Sequence, residues 1–161
     1  MLREIKTQNL TWIDILDPHE DDVKYLAENF DFHPLVLGEI IPPGWRPKVE
    51  PYDTYLFMIL YASRFDEQTG DTIPQEVDII FTKDTVITTH YFSISYIDDI
   101  FDKCKTDEKA KDLYCPNAMT LVYFILKSNG KTKSKNYKSW KTSLTKSRAG
   151  FLREKRGIWF H

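Results

Sequence analysis

The segment from Thr54 to Phe65 constrains the fold most strongly, because both of its alternating sets of side chains are apolar. Successive side chains of an extended strand point to opposite faces of the sheet. The two sets are Tyr55, Phe57, Ile59 and Tyr61, and Leu56, Met58, Leu60 and Ala62. A strand that is apolar on both faces is covered on both faces. The sequence therefore predicts a central strand between two layers.

More strands surround this segment. Residues 10–15 alternate in polarity and predict a strand near the N-terminus. Residues 75–82 and 85–92 predict two strands joined by a tight turn at Lys83 and Asp84. Gly70 lies in a polar stretch, residues 66–72, that predicts a hairpin loop after the central strand. The last three strands should therefore form an antiparallel meander.

The stretch from His33 to Glu50 predicts a short helix, an abrupt end and a return to extended chain. Pro34 suits the first helical position, where its missing N–H costs nothing. Pro42-Pro43-Gly44 cannot continue a helix. The apolar residues that share one helical face are Leu37, Ile40 and Ile41. Glu39 is the last charged residue before the break.

The other helices are predicted from caps and spacing. Asp17 is the expected N-cap of the first helix, with Pro18 at the first position and Glu20 completing a capping box. Residues 95–105 and 108–113 predict two more helices, and a further helix should open at Pro116. Its apolar residues at helical spacing are Met119, Val122, Tyr123 and Leu126. Helices flanking a mixed, partly antiparallel sheet give an α/β fold, a three-layer αβα sandwich.

The charge distribution divides the chain in two. Residues 1–126 carry 11 lysines and arginines against 23 aspartates and glutamates, a net charge of −12, whereas residues 127–161 carry 11 against one, a net charge of +10. Such a switch marks a boundary, so we predict a domain over residues 1–127 and a basic tail over residues 128–161. Three interpretations of the tail remain open: a truncated or frame-shifted end, a natural segment that contacts anionic lipid or nucleic acid, or a divergent helix that packs on the domain.

Several function classes find no support in the sequence. The longest apolar run, residues 55–62, is far shorter than the roughly 20 residues of a membrane-spanning helix. The N-terminus has no apolar signal core, so we expect a cytoplasmic location and free thiols at Cys104 and Cys115. The chain has no Gly-x-Ser-x-Gly elbow, no glycine-rich phosphate loop and no pair of histidines with helical metal-site spacing. We therefore expect no enzymatic activity.

Four blocks in order resemble the cytosolic N-terminal domain of the CorA family of magnesium transporters. They are Thr11-Trp12-Ile13-Asp14-Ile15; the His33–Ile41 segment followed by Arg46-Pro47-Lys48-Val49-Glu50; Tyr55–Leu60; and Gln75–Phe81. The resemblance covers roughly residues 10–127. It implies an αβα cytosolic domain that leads toward the membrane through a C-terminal region missing here, in which members carry two transmembrane helices and a Gly-Met-Asn pore motif.

The resemblance also implies a metal site. In this family, cytosolic domains pack around a fivefold axis, and divalent cations between neighbouring domains are held by carboxylates that include the position of Glu39. The resemblance therefore implies a regulatory domain that senses Mg²⁺, or alternatively Co²⁺, weakly and between subunits, without conducting ions alone. Members often have two adjacent acids there, whereas this chain has Gly38 before Glu39, which predicts a weaker or altered site.

Other interpretations stay open at this point. The transported ion is not fixed by the sequence, and a zinc-exporting relative is an alternative. Pentamers are expected only for a full-length protein, and the isolated chain should be a monomer or weak dimer. For the leading interpretation no nucleic-acid partner is expected. The alternative function is a stand-alone soluble binding module whose basic tail contacts anionic lipid or nucleic acid.

Overall fold

The computed structural model describes residues 1–44, 46–65 and 71–131. The strands in these ranges are β1 (Leu2–Lys6), β2 (Thr11–Leu16), β3 (Lys48–Pro51), β4 (Leu56–Phe65), β5 (Thr72–Phe81) and β6 (Thr85–His90). The helices are α1 (Glu20–Asn29), α2 (Pro34–Ile40), α3 (Ser95–Thr106), α4 (Glu108–Tyr114) and α5, which is helical over residues 118–131. None of the helices in these ranges has the length and apolar content of a transmembrane span.

The six strands form one mixed sheet in the order β1-β2-β6-β5-β4-β3. The β2 and β6 strands run parallel, and the other four neighbouring pairs are antiparallel. The predicted meander is therefore confirmed as β4-β5-β6, with Leu56 opposite Phe81 and Phe65 opposite Thr72. The loop that joins β4 to β5 lies largely outside the described residues. Strand β1 was not predicted. Only Ile5 among its five residues is buried, so polar and apolar side chains do not alternate clearly along it.

Helices cover both faces of the sheet, so the predicted three-layer αβα arrangement is confirmed. On one face α1 and α2 pack on a cluster that contains Leu26, Ile40 and Phe57. On the other face α3 and α5 pack on a cluster that contains Trp12 and Phe101, whose rings meet edge to face at 4.9 Å. The two-sided strand β4 contributes Phe57 and Ile59 to the first cluster and Met58 and Ala62 to the second.

The prediction that α1 is capped by Asp17 is wrong. The helix begins at Glu20 with His19 as its N-cap, and the His19 backbone N–H donates to the Asp22 carboxylate at 3.0 Å. The Asp17 N–H instead donates to the His90 carbonyl at 2.8 Å, which ties Asp17 to the end of the sheet. The chain then turns with φ 54° at Asp17, a left-handed conformation that aspartate tolerates better than most residues.

The structure also corrects the start and the buried face of α5. The helix starts at residue 118, after Asn117, whose side chain accepts from the Thr120 N–H at 2.9 Å. Of the predicted apolar set only Val122 is fully buried, and Met119 and Tyr123 are 67% and 54% exposed. The residues that face the core are Ala118, Leu121, Val122 and Ile125. Because α5 is apolar on more than one side, spacing alone could not select the packed face.

A buried polar network joins β1, β2 and β6 beneath α3. The Asp14 carboxylate is fully buried and accepts from the Arg3 Nε at 2.7 Å, from the Thr88 hydroxyl and from His90 Nε2 at 3.2 Å. The Arg3 guanidinium also pairs with Asp98 on α3. Burial alone would raise the pKa of the Asp14 carboxyl, but the bonds and charges of His90, Thr88 and Arg3 outweigh burial and hold that pKa below its usual value.

The structure of α5 shows no break at the predicted domain boundary near residue 127. Helix α5 continues from residue 118 through residue 131, the last described residue. The rest of the predicted basic tail, residues 132–161, lies outside the described residues. The division into a domain over residues 1–127 and a tail over residues 128–161 therefore stays a prediction.

Candidate divalent-cation site

Helix α2 holds Glu39 at the surface of the domain. The helix starts at Pro34, and the His33 ring nitrogen Nδ1 accepts from the Leu35 N–H at 3.2 Å. The buried side of the short helix consists of Val36, Leu37 and Ile40. The predicted apolar face is thus confirmed for Leu37 and Ile40, and Ile41 packs partly buried against the same cluster. Glu39 lies next to Ile40 and is half-buried, with 35% of its side chain exposed.

The partner of Glu39 is Lys48 on β3. The Lys48 Nζ lies 2.6 Å from one carboxylate oxygen of Glu39 and 2.8 Å from the other. The same Nζ lies 3.0 Å from Glu50 and 5.2 Å from the centroid of the Phe57 ring. Burial alone would lower the pKa of Lys48, but the two carboxylates outweigh burial and raise it. Glu39 is therefore paired with a lysine within the same chain.

Two further acids lie below Glu39 on β5, and sequence analysis did not single them out. Asp78 is 2% exposed and accepts from the Thr89 hydroxyl at 3.0 Å, while its second oxygen Oδ1 has no hydrogen-bond partner among the described residues. Burial and the neighbouring Glu76 raise the pKa of Asp78 to about 8. The Glu76 carboxylate accepts from the Gly44 N–H at 2.7 Å. The available signal was two acids at alternate positions of an otherwise apolar strand.

The arrangement supplies oxygen donors but no complete cage. In the part of the chain described, no three His, Cys, Asp or Glu side chains converge closely enough to hold a metal ion together. A hard cation such as Mg²⁺ binds through one or two carboxylates and retains several waters. Among the described residues one copy of the domain therefore brings fewer than three such side chains together, and further ligands for a cation would come from water or another copy. At Gly38 an added Cβ would meet nothing within 4 Å, so a side chain fits beside Glu39.

The comparisons with known proteins agree on the family. The profile described as "CorA-like Mg2+ transporter protein" matches residues 7–132. The cobalt/magnesium transport protein CorA of Thermotoga maritima is 36% identical over 93 residues, which cover 57% of this chain and 25% of that protein. The magnesium transporter ALR1 of Saccharomyces cerevisiae is 29% identical over 116 residues, 71% of this chain and 13% of that protein. The chain thus spans a quarter or less of these two relatives.

Solved structures match the fold. The soluble domain of CorA from Methanocaldococcus jannaschii has a TM-score of 0.76 at 21% identity, covering 90% of this chain and 56% of that one. The cytoplasmic domain of ZntB from Vibrio parahaemolyticus has a TM-score of 0.70 at 15% identity, covering 87% of this chain and 55% of that one. At these identities the likeness concerns the fold alone. The profile match extends over most of the chain, and the protein belongs to the CorA-like Mg²⁺ transporter family.

Proposed function

We propose that this chain is the cytosolic regulatory domain of a CorA-like divalent-cation transporter and that it senses Mg²⁺, or Co²⁺, through Glu39 at the boundary between neighbouring copies. The family match supports the transporter context. The observation that carries the sensing role is the position of Glu39, which is a partly exposed carboxylate near the end of a short helix. Its present partner, Lys48, is a single side chain that a metal ion could replace.

The proposed mechanism is electrostatic. Residues 1–126 carry a net charge of −12, so two such domains repel one another. A divalent cation bound at the boundary offsets this repulsion and stabilises the packed, closed arrangement. When the cation leaves, Glu39 returns to Lys48 and the copies separate. A ligand shifts such an equilibrium only through its differential affinity for the two states, and here the packed state supplies more carboxylates than the separated state.

A Mg²⁺ titration of the purified chain tests this role, with thermal melting and light scattering read together. A ligand that binds only the folded state raises the melting temperature by mass action. We expect millimolar Mg²⁺ to raise the melting temperature or the scattering mass of the wild type but not of Glu39→Ala. The matched control is Glu28→Ala, because Glu28 is an exposed helical glutamate in a loose 3.9 Å pair with Lys24. Potassium chloride at equal ionic strength controls for screening.

The outcomes separate the proposal from a general salt effect. If Glu39→Ala responds to Mg²⁺ as strongly as the wild type, Glu39 is not the sensing ligand. If potassium chloride reproduces the response, no specific site is present. Without Mg²⁺ we expect a monomer or weak dimer, and a stable pentamer of the isolated chain at micromolar concentration would contradict the proposed weak association.

A variant designed to strengthen cation binding tests the same site. Gly38→Glu places a second acid beside Glu39, where the structure has room for it. We expect this variant to respond at a lower Mg²⁺ concentration than the wild type. Gly38→Gln is the matched control, since it adds the same bulk without the charge. Equal responses from the two variants would mean that position 38 does not contribute to a metal site.

A further inference from the structure

A second candidate site lies at the carboxyl ends of β2 and β6, the parallel pair of the sheet. A pocket of about 400 Å³ opens there, and in open α/β sheets ligands bind outside the carboxyl ends of parallel strands. Its walls include three aromatic rings, those of Tyr61, Tyr91 and Phe92, together with Pro43 and Pro74. Phe92 is 60% exposed, so its ring is accessible to a ligand in the pocket.

The remaining lining of the pocket is polar and consists of Gln75 and two acids. Asp17 and Glu76 contribute carboxylates, and none of the described residues that line the pocket is a lysine or arginine. The Asp17 carboxylate is exposed and has no hydrogen bond or ion pair among the described residues. Burial and then the charges of Asp78, Glu76 and Asp17 raise the pKa of the Tyr91 hydroxyl, which reflects the negative potential around this ring.

Backbone and side-chain bonds hold the pocket in shape. The Tyr91 hydroxyl donates to the Ile40 carbonyl at 2.7 Å, so its ring cannot swing freely. Tyr61 lies directly opposite Glu76 in the β4–β5 pair, which fixes an aromatic ring beside a carboxylate. Asp17 is held in a left-handed conformation by its N–H bond to His90. Strained backbone of this kind persists where surrounding structure fixes it, often at ligand sites.

Aromatic rings beside carboxylates indicate which class of ligand the pocket can bind. A hydrated metal ion keeps a shell of oxygen ligands and waters, whereas the walls of this pocket are mostly aromatic rings and prolines beside the two carboxylates. Organic cations bind on aromatic faces through the ring quadrupole. A guanidinium group is planar, stacks on rings and forms two hydrogen bonds to one carboxylate, so it matches the rings and acids together.

We propose that this pocket binds an organic cation, with the guanidinium group of an arginine side chain as its best fit. The cation stacks on Phe92 and Tyr91 and pairs with the Asp17 carboxylate. Two sources could supply it: a separate polypeptide, or this chain's own basic segment 132–161, which contains Arg148, Arg153 and Arg156. This site is independent of the metal-sensing role proposed for Glu39.

The test uses the full chain and a short peptide, acetyl-Gly-Arg-Gly-amide, with its citrulline counterpart as the neutral isostere. Binding is followed by calorimetry or by tyrosine chemical shifts. We expect the arginine peptide to bind at least about ten-fold more tightly than the citrulline peptide, because charge-assisted bonds to a carboxylate are about twice as strong as neutral ones. Equal affinity for the two peptides would overturn the proposal.

Two substitutions place the binding in the pocket. Asp17→Asn removes the charge while tolerating the left-handed backbone, and Phe92→Ala removes an exposed ring. Each should weaken arginine binding by about five-fold, the size expected for an exposed cation–π or ion-pair contact. The matched controls are Asp99→Asn and Met119→Ala, exposed residues outside the pocket lining, which should bind like the wild type. If Asp17→Asn and Phe92→Ala also bind like the wild type, although their melting temperatures show that they are folded, the assigned site is wrong.

A last variant distinguishes the two sources. Replacing Arg148, Arg153 and Arg156 together by glutamine in the full chain removes the internal guanidinium groups. If the chain's own segment occupies the pocket, the added arginine peptide should bind more tightly to this variant than to the wild type. Unchanged affinity would mean that the chain's own arginines do not occupy the pocket, which leaves a separate polypeptide as the source of the guanidinium group. A loss of peptide binding in this variant would contradict the pocket site altogether.

Discussion

Replacing Asp78 by asparagine should make the domain more stable at neutral pH and change how its stability depends on pH. Asp78 is 2% exposed, and burial followed by the charge of Glu76 raises the pKa of this carboxyl to about 8 from an ordinary value of 3.8. At pH 7 the folded protein therefore holds a proton on Asp78 that the unfolded chain has released. This difference in bound protons costs folding free energy.

The magnitude follows from the two pKa values. Each pKa unit corresponds to about 1.4 kcal/mol, so at pH 7 the shift of Asp78 costs on the order of 4 kcal/mol. An asparagine keeps the acceptor for the Thr89 hydroxyl and does not titrate. Its amide N–H₂ would lie where Oδ1 has no partner among the described residues, which costs about 1–2 kcal/mol. We expect a net gain of about 2–3 kcal/mol in the free energy of unfolding at pH 7.

The raised pKa of Asp78 also determines how the free energy of unfolding changes with pH. Between about pH 4 and pH 8 the folded wild type binds one more proton than the unfolded chain, so its stability falls as pH rises, by about 1.4 kcal/mol per pH unit from this group. Asp78→Asn lacks this contribution. The difference in stability between variant and wild type should therefore grow across this window and level off above about pH 8.

Urea unfolding followed by circular dichroism at pH 5, 6, 7, 8 and 9 measures this difference, because titrating groups that do not interact with Asp78 cancel between the two proteins. Asp99→Asn is the control, since Asp99 is exposed on α3, and its difference from the wild type should stay small at every pH. If the difference in unfolding free energy between Asp78→Asn and the wild type is constant from pH 5 to pH 8, or shrinks as pH rises, the pKa of Asp78 is not raised as described.

Two further predictions concern stability. Gly38→Ala should raise the free energy of unfolding in urea by about 0.5–1 kcal/mol, because alanine loses less backbone entropy than glycine inside a helix. An added Cβ at this position meets nothing within 4 Å. A destabilised variant would mean that the helix requires glycine. Asp14→Asn should destabilise by about 3 kcal/mol, because it leaves the half-buried Arg3 and the buried His90 without their carboxylate. The lowered pKa of Asp14 contributes stability that is present above the unfolded value near 3.8 and is lost as pH falls through the lower folded value. The stability advantage of the wild type over Asp14→Asn in urea unfolding should therefore shrink as the pH falls below 3.8. An advantage that stays constant over this range would contradict the expectation.

The outline of the fold could be predicted from residues alone because it depends on local pattern. Apolar residues on both alternating sets of the segment 54–65 require cover on both faces, which is what β4 has. Pro42-Pro43-Gly44 ends α2 wherever that helix lies, since proline lacks the N–H and clashes with the preceding turn. The four family blocks identified the family from the sequence, and the profile match confirms it.

Details that depend on partners from distant positions could not be predicted. Asp17 looks like an N-cap in the sequence, but its N–H bonds to His90, 73 positions later, and the helix starts at Glu20 instead. Helix α5 has apolar residues on several sides. Its packing on the sheet determines that Leu121 is buried and Met119 is exposed.

The order of residues alone predicts a layered αβα domain of the CorA-like family with Glu39 just before a helix end. The contact between Glu39 and Lys48, and the nearly water-free setting that raises the pKa of Asp78, are visible only in the folded chain. Apolar alternation and proline geometry act within a few residues of the chain. Charge pairing and desolvation depend on which distant groups the fold brings together, and these are fixed only when α2, β3 and β5 pack.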